Sequence, residues 1–153
     1  MSAAPAHPDQ AAIERLVHAY TARVAKGDLE SIADLFVHGE VSGDAHPEPA
    51  IGRAAVLELY RTTLASSGDG PRRLRVVTTD LQVDIDDVAG TATCVSRFTV
   101  RPSDPTITDT VLFVGRYLDE FARFDGTWAF TRRHVALDET NHEAVDREGV
   151  NLG

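Results

Sequence analysis

Apolar residues at Ile13, Leu16, Val17, Tyr20 and Val24 follow the i, i+3, i+4, i+7, i+11 spacing of an amphipathic helix. They predict one helix from Gln10 to Ala25. Gly27 is expected to end it, and Asp28 to cap a short second helix with Leu29, Ile32, Ala33, Leu35 and Phe36 turned inward. His38 to Ala50 mixes Gly, Pro, His and acids and reads as irregular, with a short strand around Val41. A third helix is expected from about Arg53 to Ala65, with Val56, Leu59, Tyr60 and Leu64 on one side and a break at Ser66 to Pro71.

The second half has the other period. Arg75, Val77, Thr79, Leu81, Val83 and Ile85 alternate with Val76, Thr78, Asp80, Gln82 and Asp84, which predicts a strand. Asp86 to Gly90 is the turn, and three more strands are expected at Thr91–Arg101, Thr110–Phe124 and Thr127–Leu137. Helices ahead of a four-stranded antiparallel meander make an α+β domain. Residues 1–9 read as a mobile tail, 10–139 as one domain and 140–153 as a C-terminal tail.

Asp125-Gly126 between two apolar strands is a strong hairpin signal, because such turns need φ > 0. A two-residue loop sets Phe124 against Thr127. Stepping outward then pairs Arg123 with Trp128, Phe121 with Phe130, Asp119 with Arg132, and Tyr117 with His134. Opposed residues share a sheet face. This aromatic face is expected under the helices, carrying a polar group of Tyr117, Asp119, Arg132 and His134. A register shift of one would mix the two faces.

Composition narrows the function. The 153 residues carry 24 acidic and 15 basic side chains, a net charge of −9. Arg72-Arg73-Leu74-Arg75 and Arg132-Arg133-His134 are the dense basic clusters, and both fall in or beside strands. That is a poor phosphate track, so neither nucleic acid nor a membrane surface is expected as partner. The N-terminal residues lack the basic start and apolar run of a signal peptide, and Cys94 stands alone. A cytoplasmic address is expected.

The order Ile13-Glu14…Tyr20, Gly27-Asp28-Leu29-Glu30, Leu35-Phe36 and Ile51-Gly52-Arg53-Ala54-Ala55-Val56, then Gly115-Arg116-Tyr117-Leu118-Asp119, Asp125-Gly126-Thr127-Trp128 and Arg132-Arg133, resembles the SnoaL-like branch of the NTF2-like superfamily. The resemblance runs from about residue 10 to 139. It implies an α+β cone in which three N-terminal helices pack on a strongly curved antiparallel sheet and enclose a pocket. Relatives such as scytalone dehydratase, ketosteroid isomerase and polyketide cyclases act without organic cofactors on small hydrophobic ring compounds, and many pair through the outer sheet face. The dehydratases use a Tyr, an Asp five positions later and a His on the first long strand. Here Tyr20 matches the Tyr, but Ala25 and Val76 occupy the other two positions, which disfavours that chemistry.

The expectation is therefore a cofactor-free lyase, isomerase or cyclase working by acid–base chemistry on a small hydrophobic cyclic metabolite. The alternative is a non-catalytic ligand-binding or dimeric assembly module. Tyr20, His38 and His134 are the proton-transfer candidates, oriented by Asp119 and Arg132. Phe36, Tyr60, Phe98, Phe113, Tyr117 and Phe130 are the expected ligand contacts. His38, Glu40, Asp44, His46 and Glu48 offer metal donors, but their spacing fits no metal motif, and no metal is expected. A homodimer through the outer sheet face is expected.

Overall fold

A computed structural model describes residues 7–64, 74–102 and 111–143. The segment 66–71, the end of the third helix at Ala65, the Arg72-Arg73 pair and most of both expected tails lie outside them. The order is α1 (Gln10–Lys26), α2 (Leu29–Asp34), β1 (Glu40–Gly43), β2 (His46–Ile51), α3 (Gly52–Thr63), β3 (Leu74–Asp86), β4 (Thr91–Pro102), β5 (Phe113–Phe124) and β6 (Thr127–Thr140). The start of the first helix holds on to the body of the protein, for Asp9 and Arg123 form an ion pair and His7 bonds Asp87.

Each helix ends and begins for a local reason. Gly27 takes φ 69°, and the Asp28 N–H returns to the Arg23 carbonyl at 3.1 Å, which closes α1. The Asp28 carboxylate accepts from the Ser31 N–H at 3.3 Å and caps α2. Ile13, Val17, Tyr20 and Val24 then face the core, as the periodicity requires.

One curved, unclosed sheet carries all six strands in the order β2-β1-β6-β5-β4-β3. The four-stranded meander is thus extended by β1 and β2, where the sequence suggested irregular chain with a single short strand. β1 runs parallel to β6, and the remaining neighbours are antiparallel. Prolines 47 and 49, which lack an N–H, are tolerated because β2 is an edge strand. The helices cover one face, where Phe36, Phe98, Phe121 and Phe130 are fully buried.

Two bulges decide which side chains reach that face. In β3 the register slips between Thr79 and Gln82, with Asp80 at φ 56°. Val76 therefore points inward before the slip, and Val83 after it. In β6 the Asp125-Gly126 turn has both residues at positive φ and pairs Phe124 with Thr127 and Phe121 with Phe130 as expected. Thr131 is then skipped, and Glu120 pairs with Arg132, Asp119 with Arg133 and Leu118 with His134. The expected pairs Asp119–Arg132 and Tyr117–His134 are corrected. The bulge sets the partly buried Val135 opposite Tyr117 in place of His134.

Candidate functional site

Between the helices and the sheet lies a cavity walled by Tyr20 of α1 and Leu59, Tyr60 and Thr63 of α3. Val41, Phe98, Tyr117 and Val135 close it from the sheet. Its space is about 30 Å³, which is water-sized. Tyr20 faces inward because it lies on the apolar stripe of α1, and Tyr60 and Thr63 are one turn apart on α3. Phe98 stacks on Tyr117 with centroids 4.3 Å apart.

The polar groups of the cavity are hydroxyls. Tyr20 and Tyr60 share a 2.5 Å hydrogen bond between their oxygens. Burial pushes both hydroxyls, and that of Tyr117, above the usual tyrosine range, while the Arg133 guanidinium opposes the shift. All three are therefore neutral donors at pH 7. Thr63 Oγ1 is buried and has no hydrogen-bond partner among the described residues.

Behind the tyrosines sits a buried ion pair. Arg133 donates from Nε and Nη2 to the two Asp119 oxygens, each at 2.7 Å, and both side chains are 0% exposed. Its guanidinium carbon stands 4.0 Å from the Tyr20 ring centroid and 3.8 Å from that of Tyr117. Burial raises the Asp119 carboxyl, against the pull of Arg133. Burial also disfavours charge on Arg133, but the Asp119 carboxylate outweighs it and holds the guanidinium above its ordinary value.

The sequence candidates thus separate. Tyr20, Tyr60, Phe98 and Tyr117 line the cavity, and Asp119 lies beneath it. Phe36, Phe113 and Phe130 are core residues outside the lining. His38 is exposed and stacks on Phe124 with centroids 4.1 Å apart, away from the cavity. Arg132 is exposed opposite Glu120, at 3.4 Å, because of the Thr131 bulge. His134 lies on the outer face, bonded to Ser42 at 2.8 Å and Asp44 at 3.2 Å. Its expected place beside Tyr117 is corrected. Arg133 and Thr63 were not among the candidates. The signals available for them were the Arg132-Arg133 doublet and the Tyr60–Thr63 helical spacing.

Among the described residues, His7, Asp9 and Asp87 bring possible metal-ligand atoms within 4.8 Å of one another. The Arg123 guanidinium bonds both carboxylates and already supplies their positive charge. Cys94 is buried, and burial pushes its thiol up to about 11, so it stays protonated. No helix among the described residues is long and apolar enough to cross a membrane.

Asp44 makes a prediction of its own. The Leu137 backbone N–H and His134 hold its carboxyl below the usual carboxylate range. A lowered carboxylate contributes stability above its unfolded pKa of about 3.9, and loses it as pH falls through the folded value. Asp44→Asn is expected to lower the melting temperature at pH 7, with the gap from wild type closing as pH drops from about 4. Calorimetry across pH 7 to 3 checks this.

A curved sheet with helices over one face and a tyrosine-lined cavity between them defines an α+β cone of the NTF2-like type. The SnoaL-like domain profile matches residues 6–134, and the chain belongs to that family. Solved structures agree on the fold. Rv3472 of Mycobacterium tuberculosis, described as of unknown function, is 25% identical with a TM-score of 0.71, over 87% of this chain and 73% of that one. An NTF2-like protein with a cystatin-like fold from Novosphingobium aromaticivorans is 23% identical, TM-score 0.69, over 90% and 87%. A LinA-type hexachlorocyclohexane dehydrochlorinase from Novosphingobium barchaimii is 14% identical, TM-score 0.71, over 87% and 88%. Comparison with curated proteins gives no significant match.

Proposed function

We propose that this chain binds a small, mostly apolar ring compound in the cavity and holds one of its oxygens with the Tyr20–Tyr60 pair. The 2.5 Å contact between those hydroxyls carries the reading. One hydroxyl donates to the other, so one proton remains for a carbonyl or phenol oxygen. The unpartnered Thr63 Oγ1 offers a second polar contact one turn along α3. A ring needs more than the present 30 Å³, since small-molecule sites are roughly 300 Å³ or larger, so the cavity opens on binding.

Lyase, isomerase or cyclase chemistry is the finer proposal. A donor held at a carbonyl oxygen stabilises the enolate that forms as a solvent base takes the α-proton, and the guanidinium over the Tyr20 ring favours negative charge there. A dehydrochlorinase with a similar fold supports that direction. The competing reading, binding without turnover, is favoured by one observation: among the described residues, the wall of this cavity has no carboxylate or imidazole. Deuterium exchange next to the carbonyl of a cyclic ketone such as 2-tetralone separates the two. Binding itself is tested with 2-naphthol. Tyr20→Phe and Tyr60→Phe are each expected to weaken its affinity about five- to tenfold, the worth of one hydrogen bond, and unchanged affinity in both would contradict the assignment.

The same reading places a second copy on the outer sheet face. Val95 and Leu118 are paired there, 39% and 37% exposed, between an Arg97–Arg116 pair on one side and Asp84 and Glu120 on the other. A two-fold axis through the apolar pair sets the basic row of one copy on the acidic row of the other. Leu118→Asp is expected to give monomers by sedimentation, from a dimeric wild type.

A further inference from the structure

On the outer face, three side chains form a chain separate from the cavity. Parallel pairing of β1 with β6 sets Ser42 beside His134 in register. Ser42 Oγ lies 2.8 Å from His134 Nδ1, and His134 Nε2 lies 3.2 Å from Asp44 Oδ1. Asp44 is fixed at both ends: its Oδ2 accepts from the Leu137 N–H at 2.9 Å, and its own N–H donates to the Val135 carbonyl at 3.0 Å. We propose that Ser42 is a nucleophile activated by His134 and that this site accepts the acyl group of small activated esters.

The hydrogen bonds select the protonation state this needs. Asp44 is ionised and acts only as an acceptor there, so the imidazole turns its Nε2–H toward it. In the neutral imidazole, Nδ1 then carries the lone pair that faces the Ser42 hydroxyl. A nucleophile, a base and a group that orients the base are the three roles of hydrolytic serine sites, recognised by geometry rather than by chain position. Here the two ring nitrogens exchange duties.

The reaction balances without any cofactor. The Ser42 proton passes to Nδ1 as Oγ bonds the acyl carbon. The carbon–oxygen bond to the leaving group breaks, and the departing oxygen takes the proton back from the imidazolium. Water attacks the acyl-serine by the same route and releases a carboxylic acid. Ser42 is only 6% exposed, so the proposal is confined to the smallest acyl group, acetyl. The His134 and Asp44 side chains are 23% and 51% exposed, so the approach is from solvent.

The test is incubation of the full chain with p-nitrophenyl acetate, followed by intact mass and peptide mapping. Wild type is expected to gain an acetyl group on Ser42, Ser42→Ala to lose that adduct, and His134→Gln to form it about 100-fold more slowly, the worth of a general base. Asp44 is a positioning residue. Its test is the ¹⁵N spectrum of the His134 ring, expected to show Nε2 protonated in wild type and to lose that preference in Asp44→Asn. A Ser-His-Asp staple with a purely structural role would give no Ser42 adduct. No acetyl on Ser42 together with p-nitrophenolate release no faster than in Ser42→Ala, or equal labelling rates in wild type and His134→Gln, would overturn the proposal.

Discussion

Asp119→Ala is expected to cost about 3–5 kcal/mol of folding stability, because it strands the Arg133 charge at 0% exposure. Against a total of roughly 5–15 kcal/mol for an ordinary domain, that is a large share. Urea denaturation reads it as a lower midpoint or as a chain already unfolded in buffer. Replacing both partners, Asp119→Leu with Arg133→Met, removes the buried charges together and is expected to recover most of the loss. A cost below about 1 kcal/mol for the single change would mean that the pair is hydrated, against the geometry. Arg133 also stands over the Tyr20 and Tyr117 rings, so the single variant is expected to loosen the cavity wall as well.

Gly115→Ala has the second large effect, for steric reasons. A Cβ at this position would lie 2.2 Å from the Ala136 carbonyl oxygen and 2.7 Å from Phe98 Cζ. A ring can turn away, but the β6 backbone cannot. Gly115 is what lets Phe98 lie across β5 and stack on Tyr117. The expected loss is about 3 kcal/mol or more, beyond most single substitutions. Adding Phe98→Leu relieves the ring contact and leaves the carbonyl clash, so only partial recovery is expected.

Most of the architecture was legible because it rests on local pattern. Ile13 to Val24 fix the α1 stripe, and Asp125-Gly126 fixes the last turn. The site was legible only in part, and the misplacement of Arg132 and His134 has one physical origin. Thr131 bulges out of the β5–β6 ladder, and residues 132–137 change face before a second slip at Asp138. Adjacent arginines at 132 and 133 hide the slip, since either register gives Asp119 a guanidinium. Tyr20 and Tyr60, read from helical periodicity, were immune to it. His134 was not, and its true partners, Ser42 of β1 and Asp44 of the β1–β2 turn, come from a hairpin that a Pro- and Gly-containing segment gave little reason to expect.

The Tyr20–Tyr60 cavity is proposed to hold the ring compound. Methyl-resolved ¹H–¹³C NMR during titration with 2-naphthol tests this. The expected result is saturable shifts of Val41, Leu59 and Val135, the aliphatic wall of the cavity, with Val77, Val95 and Leu118 of the outer face unmoved. Shifts centred on Val95 and Leu118, or no saturable shifts at the cavity methyls, would contradict it.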